Sequence, residues 1–176
     1  GVIVTYAGDP EEGARVVEPL TSFGPPAVDL VGPMPYVAVQ QLLDAPNPKG
    51  MHNYWSGDFL TEFPDEAIDA FVDNVQPPVS PLTQMIVVPG GGAISDLSDG
   101  DMAFGNRNAP FNMHYLSMWP PDPSQDQTNI DKTRQIAASL KPWTTGQVYL
   151  NFIGDEGLTR VESAYGPEKY ARLRKI

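Results

Sequence analysis

The stretch Gln147-Val148-Tyr149-Leu150-Asn151-Phe152 alternates apolar side chains with polar ones. Successive side chains of a β-strand point to opposite faces of the sheet, so a strand here would direct Tyr149 and Asn151 to one face and the apolar side chains to the other. We therefore predict a strand with one apolar face and one face suited to chemistry. It runs into Gly154-Asp155-Glu156-Gly157 and then into a helix that carries Ala164 to Leu173.

The rest of the chain alternates β-branched or apolar runs with helical patterns, separated by Pro, Gly and Asn turns. The patterns predict strands at 2–7, 51–60, 82–88 and 110–119, and helices at 11–20, 36–43, 63–75 and 129–140. This order indicates an α+β fold in which an antiparallel sheet carries helices on one face. The other face has a mixed character on the strand at 110–119, with Asn112, His114, Leu116 and Met118. Such a surface suggests a cavity or a partner.

Composition limits the classes of function. The chain has 176 residues, enough for one compact domain with a core, and a formal net charge of -11. The excess of acidic groups argues against nucleic acid or an anionic membrane as the main partner. There is no cysteine and there are two histidines, which excludes disulfides and thiolate sites and makes a metal centre improbable. No segment approaches the roughly 18 apolar residues of a membrane span, and the compartment stays open.

Both ends of the sequence suggest a piece of a larger protein. The chain starts inside a predicted strand without methionine, and it ends at Arg172-Leu173-Arg174-Lys175-Ile176 without a glycine or asparagine that would stop the helix. We therefore expect further protein on either side of residues 1–176.

A series of short landmarks runs through the chain in order. They include Gly8-Asp9-Pro10-Glu11-Glu12-Gly13, Glu18-Pro19-Leu20, Gly32-Pro33-Met34-Pro35-Tyr36, Tyr54-Trp55, Phe59-Leu60, Gly91-Gly92, Trp119, and the Tyr149-Leu150-Asn151 motif with Ala164-Tyr165-Gly166 after it. Their order resembles the substrate domain of the berberine-bridge-enzyme-like flavin oxidoreductases. The resemblance implies that residues 1–176 form a ferredoxin-like substrate-binding domain plus the start of the family's C-terminal segment.

The resemblance also implies a chemistry. In this family a substrate C–H bond delivers hydride to flavin N5, a protein base removes a proton, and dioxygen commonly reoxidises the flavin. Tyr149 matches the tyrosine of the family's Tyr-x-Asn motif and is the predicted base, while Asn151 is predicted to hydrogen-bond the flavin edge or the substrate. A phenol has a reference pKa near 10, so it needs positive charge or hydrogen bonds to act as a base near neutrality.

Two segments depart from the family pattern. Ser56 stands where the family commonly has a lysine after the Tyr-Trp pair, and Phe104-Gly105-Asn106-Arg107 replaces the common Phe-Pro-His-Arg. The group that would favour a charged Tyr149 is therefore not identified by the resemblance.

The predicted substrate contacts lie on two other strands. Asn112 and His114 share a strand face in the stretch where some family members place a glutamate base, and this chain has no carboxylate there. Histidine, with a pKa near 6.5, is suited to act as a base or proton relay. The alternative is a polar pair at a strand surface. Tyr54, in the Tyr-Trp landmark, is the third predicted contact.

The resemblance implies partners as well as residues. FAD would be bound mainly by an N-terminal FAD-binding domain of the same parent protein, with a small-molecule substrate and dioxygen as the other partners, and the isolated chain would be inactive. The rival hypothesis is a non-enzymatic α+β module, used for ligand binding or assembly, whose open sheet face binds a partner. An FAD-binding domain encoded upstream of Gly1 would distinguish the two.

Overall fold

The computed structural model describes all residues from 1 to 176. Six α-helices and three β-strands account for its regular structure, with short 3-10 turns between them. The chain divides into two compact units, Gly1–Asn47 and Pro48–Ile176. No helix combines the length and apolar character that crossing a membrane would demand.

The first unit contains α1 (Pro10–Thr21) and α2 (Tyr36–Gln40). The Asp9 carboxylate caps α1 by accepting hydrogen bonds from the backbone N–H groups of Glu11 at 2.9 Å and Glu12 at 3.0 Å. The predicted helices are thus confirmed, although α2 ends early. The predicted strand at 2–7 is wrong, because a β-branched run becomes a strand only when another strand pairs with its backbone, and residues 2–7 form no ladder.

The second unit carries the sheet. Its elements are β1 (His52–Leu60), α3 (Asp65–Val75), β2 (Gln84–Pro89), β3 (Phe111–Trp119), α4 (Asp126–Ser139), α5 (Leu158–Tyr165) and α6 (Pro167–Leu173). The three strands form one antiparallel sheet in the order β1-β3-β2, so β3 is central. These strands, together with α3 and α4, confirm the pattern read from the sequence.

The register assigns each side chain to a face. Gly57 lies opposite His114 and Phe59 opposite Asn112, while Asp58 lies opposite Met113. Directly opposed residues of an antiparallel pair share a face, so His114 and Asn112 lie on one side of the sheet and Met113 on the other.

The hydrophobic core lies on the Met113 side, under α3 and α4. Its fully buried members are Leu60, Ala67, Met113, Tyr115, Ile136 and Leu140. Apolar residues of α3, including Phe71 and Val75, pack against them. The helices that build the core therefore cover one face of the sheet, as predicted, and the His114 side is left for other segments; we call it the outer face.

The predicted strand at 147–152 is wrong, because none of these residues forms a strand in the structure. Gln147 still pairs with β1, since its carbonyl accepts from the Phe59 N–H at 3.1 Å. The backbone then closes a 3-10 turn over Leu150–Phe152, in which the Phe152 N–H donates to the Tyr149 carbonyl at 2.8 Å. The turn lets Phe152 pack on the outer face, stacked on His114 with 4.2 Å between ring centroids. Burial of this aromatic side chain outweighs the extended preference of the sequence.

The predicted C-terminal helix is two helices, α5 and α6. Gly166 separates them with φ of 76°, a left-handed conformation that glycine adopts without steric cost. Pro167 then occupies the first position of α6, where a missing N–H is tolerated.

Candidate functional site

Six rings cover part of the outer face of the sheet and form what we call the aromatic cluster: Trp55, Phe59, Phe104, His114, Tyr149 and Phe152. Tyr149 is held between two of them. Its ring centroid lies 5.0 Å from that of Phe152 and 5.2 Å from that of Phe104, both in edge-on geometry. Such contacts restrict the ring of Tyr149 to a defined orientation.

Tyr149 and Asn151 meet through a hydrogen bond. The Asn151 side-chain Nδ2 donates to the Tyr149 Oη at 2.8 Å. Strand alternation predicts that these two side chains lie on one face of the sheet. In the structure they are joined across the 3-10 turn instead. Both line a cleft of about 230 Å³ whose other walls are Ala103, Phe104, Gly105, Val148, Leu150, Ala164 and Tyr165. The phenol oxygen is thus oriented by an amide at the wall of a largely apolar cleft.

His114 is buried within the aromatic cluster. Its ring stacks on Phe152 and lies 5.2 Å, centroid to centroid, from Trp55. Burial lowers the pKa of His114 because the apolar surroundings disfavour the charged form. Its Nε2 has no hydrogen-bond partner, and neither has the buried Oδ1 of Asn112 on the same face. An imidazole whose charged form is disfavoured and an amide therefore lie on this face with unused hydrogen-bonding capacity.

Neither of these residues lines the Tyr149 cleft. The structure brings Asn112 and His114 to one face, as the sequence predicts, and connects His114 to Tyr149 only through the ring of Phe152. Their predicted contact with a substrate stays a prediction.

Tyr54 lies on the opposite side of β1, away from the aromatic cluster. It lies opposite Ser117 in the ladder, whereas Asn112 and His114 face the other way. Its Oη donates to Glu156 at 3.4 Å and accepts from the Arg134 Nε at 3.3 Å. The three predicted substrate contacts thus fall on two faces of the sheet.

Arg160, on α5, ties the segment after the cleft to β1. Its guanidinium donates to the Gly57 carbonyl at 2.8 Å, to Asp58 at 3.3 Å and to Glu156 at 2.8 Å. Asp58 is buried, and burial raises the pKa of its carboxyl while the charge of Arg160 opposes that rise. The arrangement fixes the end of the segment that carries Tyr149.

Sequence reasoning missed Phe104, Phe152 and Lys169. Strand alternation predicts Phe152 on the apolar face, and Phe104 belongs to a segment that departs from the family pattern. Lys169 is tied to Phe104, because its Nζ donates to the carbonyls of Ala103 and Phe104, each at 3.3 Å. No local sequence signal links residues so far apart in the chain.

Two proteins of known class have sequences similar to this chain, although no match exists at the level of family models. An FAD-linked oxidoreductase from Dictyostelium discoideum is 29% identical over 168 residues, which cover 94% of this chain and 36% of the relative. A berberine bridge enzyme-like protein from Arabidopsis thaliana is 27% identical over 104 residues, 54% of this chain and 19% of the relative. The chain thus spans about a third or less of the length of these relatives.

Solved structures agree on the fold. The carbohydrate oxidase from Microdochium nivale superposes with a TM-score of 0.71 at 19% identity, covering 97% of this chain and 40% of that one. At this identity the likeness concerns the fold alone. The two sequence relatives bear out the resemblance carried by the ordered landmarks: the chain is similar to part of the length of an FAD-linked oxidoreductase and of a berberine bridge enzyme-like protein.

Proposed function

We propose that this chain is the substrate-side part of an FAD-dependent oxidoreductase and that Tyr149 is its catalytic base. The observation that carries the proposal is the Tyr149–Asn151 pair: a phenol oxygen that accepts an amide N–H at 2.8 Å while lining a cleft with aromatic walls. The sequence relatives support the class of reaction, because one of them is an FAD-linked oxidoreductase.

The pair is suited to remove a proton from a substrate hydroxyl. The Asn151 N–H stabilises negative charge on the Tyr149 oxygen, which a phenol that serves as a base must carry. The edge-on rings of Phe104 and Phe152 hold the phenol in position. Tyr149 would then take the hydroxyl proton while the neighbouring C–H bond loses its hydride.

FAD would supply the ring that accepts this hydride, and dioxygen would be the final acceptor. The residues present fit the ring end of such a cofactor. An amide nitrogen carries two N–H groups, and only one of those on Asn151 is used by Tyr149. The second can hold the polar edge of a planar ring, while the aromatic walls of the cleft suit its faces.

The larger part of FAD would be bound by an N-terminal FAD-binding domain of the parent protein, which leaves the isolated chain without activity. The size of the relatives supports this proposal, since 168 matched residues represent 36% of the Dictyostelium protein.

We also propose that the second unit is a ferredoxin-like domain with an irregular fourth strand. The order β1-α3-β2-β3-α4 matches the first five elements of that topology, with β3 between β1 and β2. The segment 144–154 follows α4 and runs beside β1, where the Thr145 N–H donates to Phe59 at 2.8 Å and the Gly154 N–H donates to Trp55 at 3.1 Å. The fourth strand of a ferredoxin-like fold would occupy this edge.

The test uses the full-length parent protein that contains this chain. Candidate alcohols are mixed with it under anaerobic conditions, and bleaching of the flavin spectrum is followed. Tyr149→Phe is expected to slow flavin reduction about 100-fold, because it removes the group that takes the proton. Tyr165→Phe, which changes a second tyrosine of the same cleft, is the matched control and should leave the rate within about threefold.

Two outcomes would contradict the proposal. Unchanged reduction in Tyr149→Phe would remove the base assignment. A purified parent protein without bound flavin would exclude the oxidoreductase and favour the non-enzymatic binding module.

A further inference from the structure

The Tyr149 cleft differs in charge from the rest of the chain. The chain has a formal net charge of -11, yet no carboxylate lines this cleft. The neighbouring cleft, of about 330 Å³, is lined by Asp99. Because no carboxylate lines the cleft, an anionic ligand would meet less repulsion there than at an acidic part of the surface.

Lys169 provides positive charge beside the cleft. Its Nζ donates at 3.3 Å to the carbonyl oxygens of Ala103 and Phe104, which both form the cleft wall. A β-carbon placed on Gly105, also in the wall, would lie 3.6 Å from this Nζ. The ammonium group therefore lies directly beside the cleft.

Lys169 forms no ion pair within the chain. The ion pairs of the structure involve His52, Arg160 and their acidic partners, and none includes Lys169. An ammonium has three N–H donors, and the two carbonyls occupy two of them. One donor and the full positive charge stay available to a ligand.

Arg107 adds a second cation behind the same wall. Its guanidinium carbon lies 5.2 Å from the centre of the Phe104 ring, and its Nη1 donates to the Ile94 carbonyl at 3.0 Å. Arg107 is 6% exposed and has no carboxylate within ion-pair distance. Arg107 thus contacts the face of Phe104, the ring that packs against Tyr149, while the Asp99 carboxylate accepts a hydrogen bond from the Arg107 backbone N–H at 3.0 Å.

We propose that the Tyr149 cleft takes a substrate that carries an anionic group, a carboxylate or a group of similar charge, and that Lys169 pairs with this group. The ammonium would hold the charged end of the molecule while the hydroxyl that reacts lies at Tyr149 and Asn151. This inference rests on the proposed function in one respect: it treats the molecule bound in the Tyr149 cleft as the substrate.

Lys169 also connects α6 to Ala103 and Phe104 in the cleft wall, and this structural role alone would explain its two hydrogen bonds. The two roles differ in their consequences. If Lys169 only connects α6 to the wall, its removal weakens binding of charged and neutral ligands alike. If Lys169 pairs with the ligand, its removal weakens binding of the charged ligand only.

The test compares benzoate with benzyl alcohol, which share a ring and differ in charge. Tyrosines of the full chain are labelled with ¹³C at Cζ, and the Tyr149 resonance is identified by its loss in Tyr149→Phe. Each ligand is titrated while this resonance is observed. Benzoate is expected to bind about fivefold more tightly than benzyl alcohol, an advantage that decreases as the salt concentration rises.

Three variants separate the explanations. Lys169→Met should abolish the preference for benzoate and leave benzyl alcohol binding unchanged, and Lys169→Arg should retain the preference. Lys132→Met, which removes a lysine of α4 outside the cleft, is the matched control and should behave as the wild type. Equal affinities in the wild type, no binding of benzoate, or an equal loss of both ligands in Lys169→Met would overturn the proposal.

This binding measurement is independent of the proposed function. If the wild type shows no preference for benzoate and Tyr149→Phe reduces flavin slowly, the proposal of an anionic substrate is rejected and the assignment of Tyr149 as base stands. If the wild type prefers benzoate and Tyr149→Phe reduces flavin at the normal rate, the assignment of Tyr149 as base is rejected and the anion-binding cleft stands.

Discussion

At Gly57, β1 has no side chain, and Phe152 reaches the outer face of the sheet there. A β-carbon added to Gly57 would lie 2.9 Å from the Met113 carbonyl oxygen and 3.1 Å from the Phe152 Cβ. The first distance cannot be relieved by rotating a side chain, because the oxygen belongs to the backbone of β3. The position of Phe152, and with it the support under Tyr149, therefore depends on a single glycine.

Gly57→Ala is expected to lower the free energy of unfolding by about 1–3 kcal/mol, the usual cost of forcing an extra carbon into a packed site. Urea denaturation measures the loss. Gly154→Ala is the matched control, since its added carbon would meet the Trp55 carbonyl at an ordinary 3.6 Å. Equal stability of Gly57→Ala and the wild type would show that Phe152 does not approach β1 as described.

At the scale of elements, α5 is fixed to β1 by one side chain. Arg160 compensates the buried charge of Asp58 and also bonds the Gly57 carbonyl and Glu156. Arg160→Met would leave Asp58 buried without its cation, and the expected loss in unfolding free energy is about 3 kcal/mol. Chemical denaturation checks this, with the exposed Arg172→Met as the control.

A double-mutant cycle measures how much of this loss in unfolding free energy comes from the Arg160–Asp58 ion pair. In the Asp58→Asn background the buried charge is gone, so Arg160→Met should cost clearly less than it does alone. Additive losses would indicate that the ion pair contributes nothing and that Arg160 acts through its backbone contact.

At the scale of the whole molecule, the two units differ in how much they bury. Every member of the core cluster, from Leu60 to Leu140, lies in Pro48–Ile176, whereas only Gly13 and Val17 are buried within Gly1–Asn47. Residues 48–176 alone are therefore expected to unfold cooperatively, and residues 1–47 alone are not, because so short a piece buries too little apolar surface. Circular dichroism during heating distinguishes the two. A 48–176 chain without a cooperative transition would contradict this division.

Much of the architecture could be predicted because the signals are local. In β3 and α3 the apolar pattern repeats with the period of the element, and proline residues flank both elements. The strands predicted at 51–60, 82–88 and 110–119 are present as β1, β2 and β3 with small shifts at their ends. The strand predicted at 2–7 is absent because pairing is not a local property.

The amino-acid sequence by itself determined the α+β class and the family resemblance, and it predicts a role for Tyr149 and Asn151, since these depend on residue identity and order. The tertiary structure decided how the two side chains meet. Phe152 leaves the strand direction to stack on His114, and the 3-10 turn that results joins Asn151 to Tyr149. It also decided that Phe104 and Lys169 flank the same cleft. The physical reason is that aromatic burial and carbonyl–ammonium contacts form between segments far apart in the chain, where no local pattern records them.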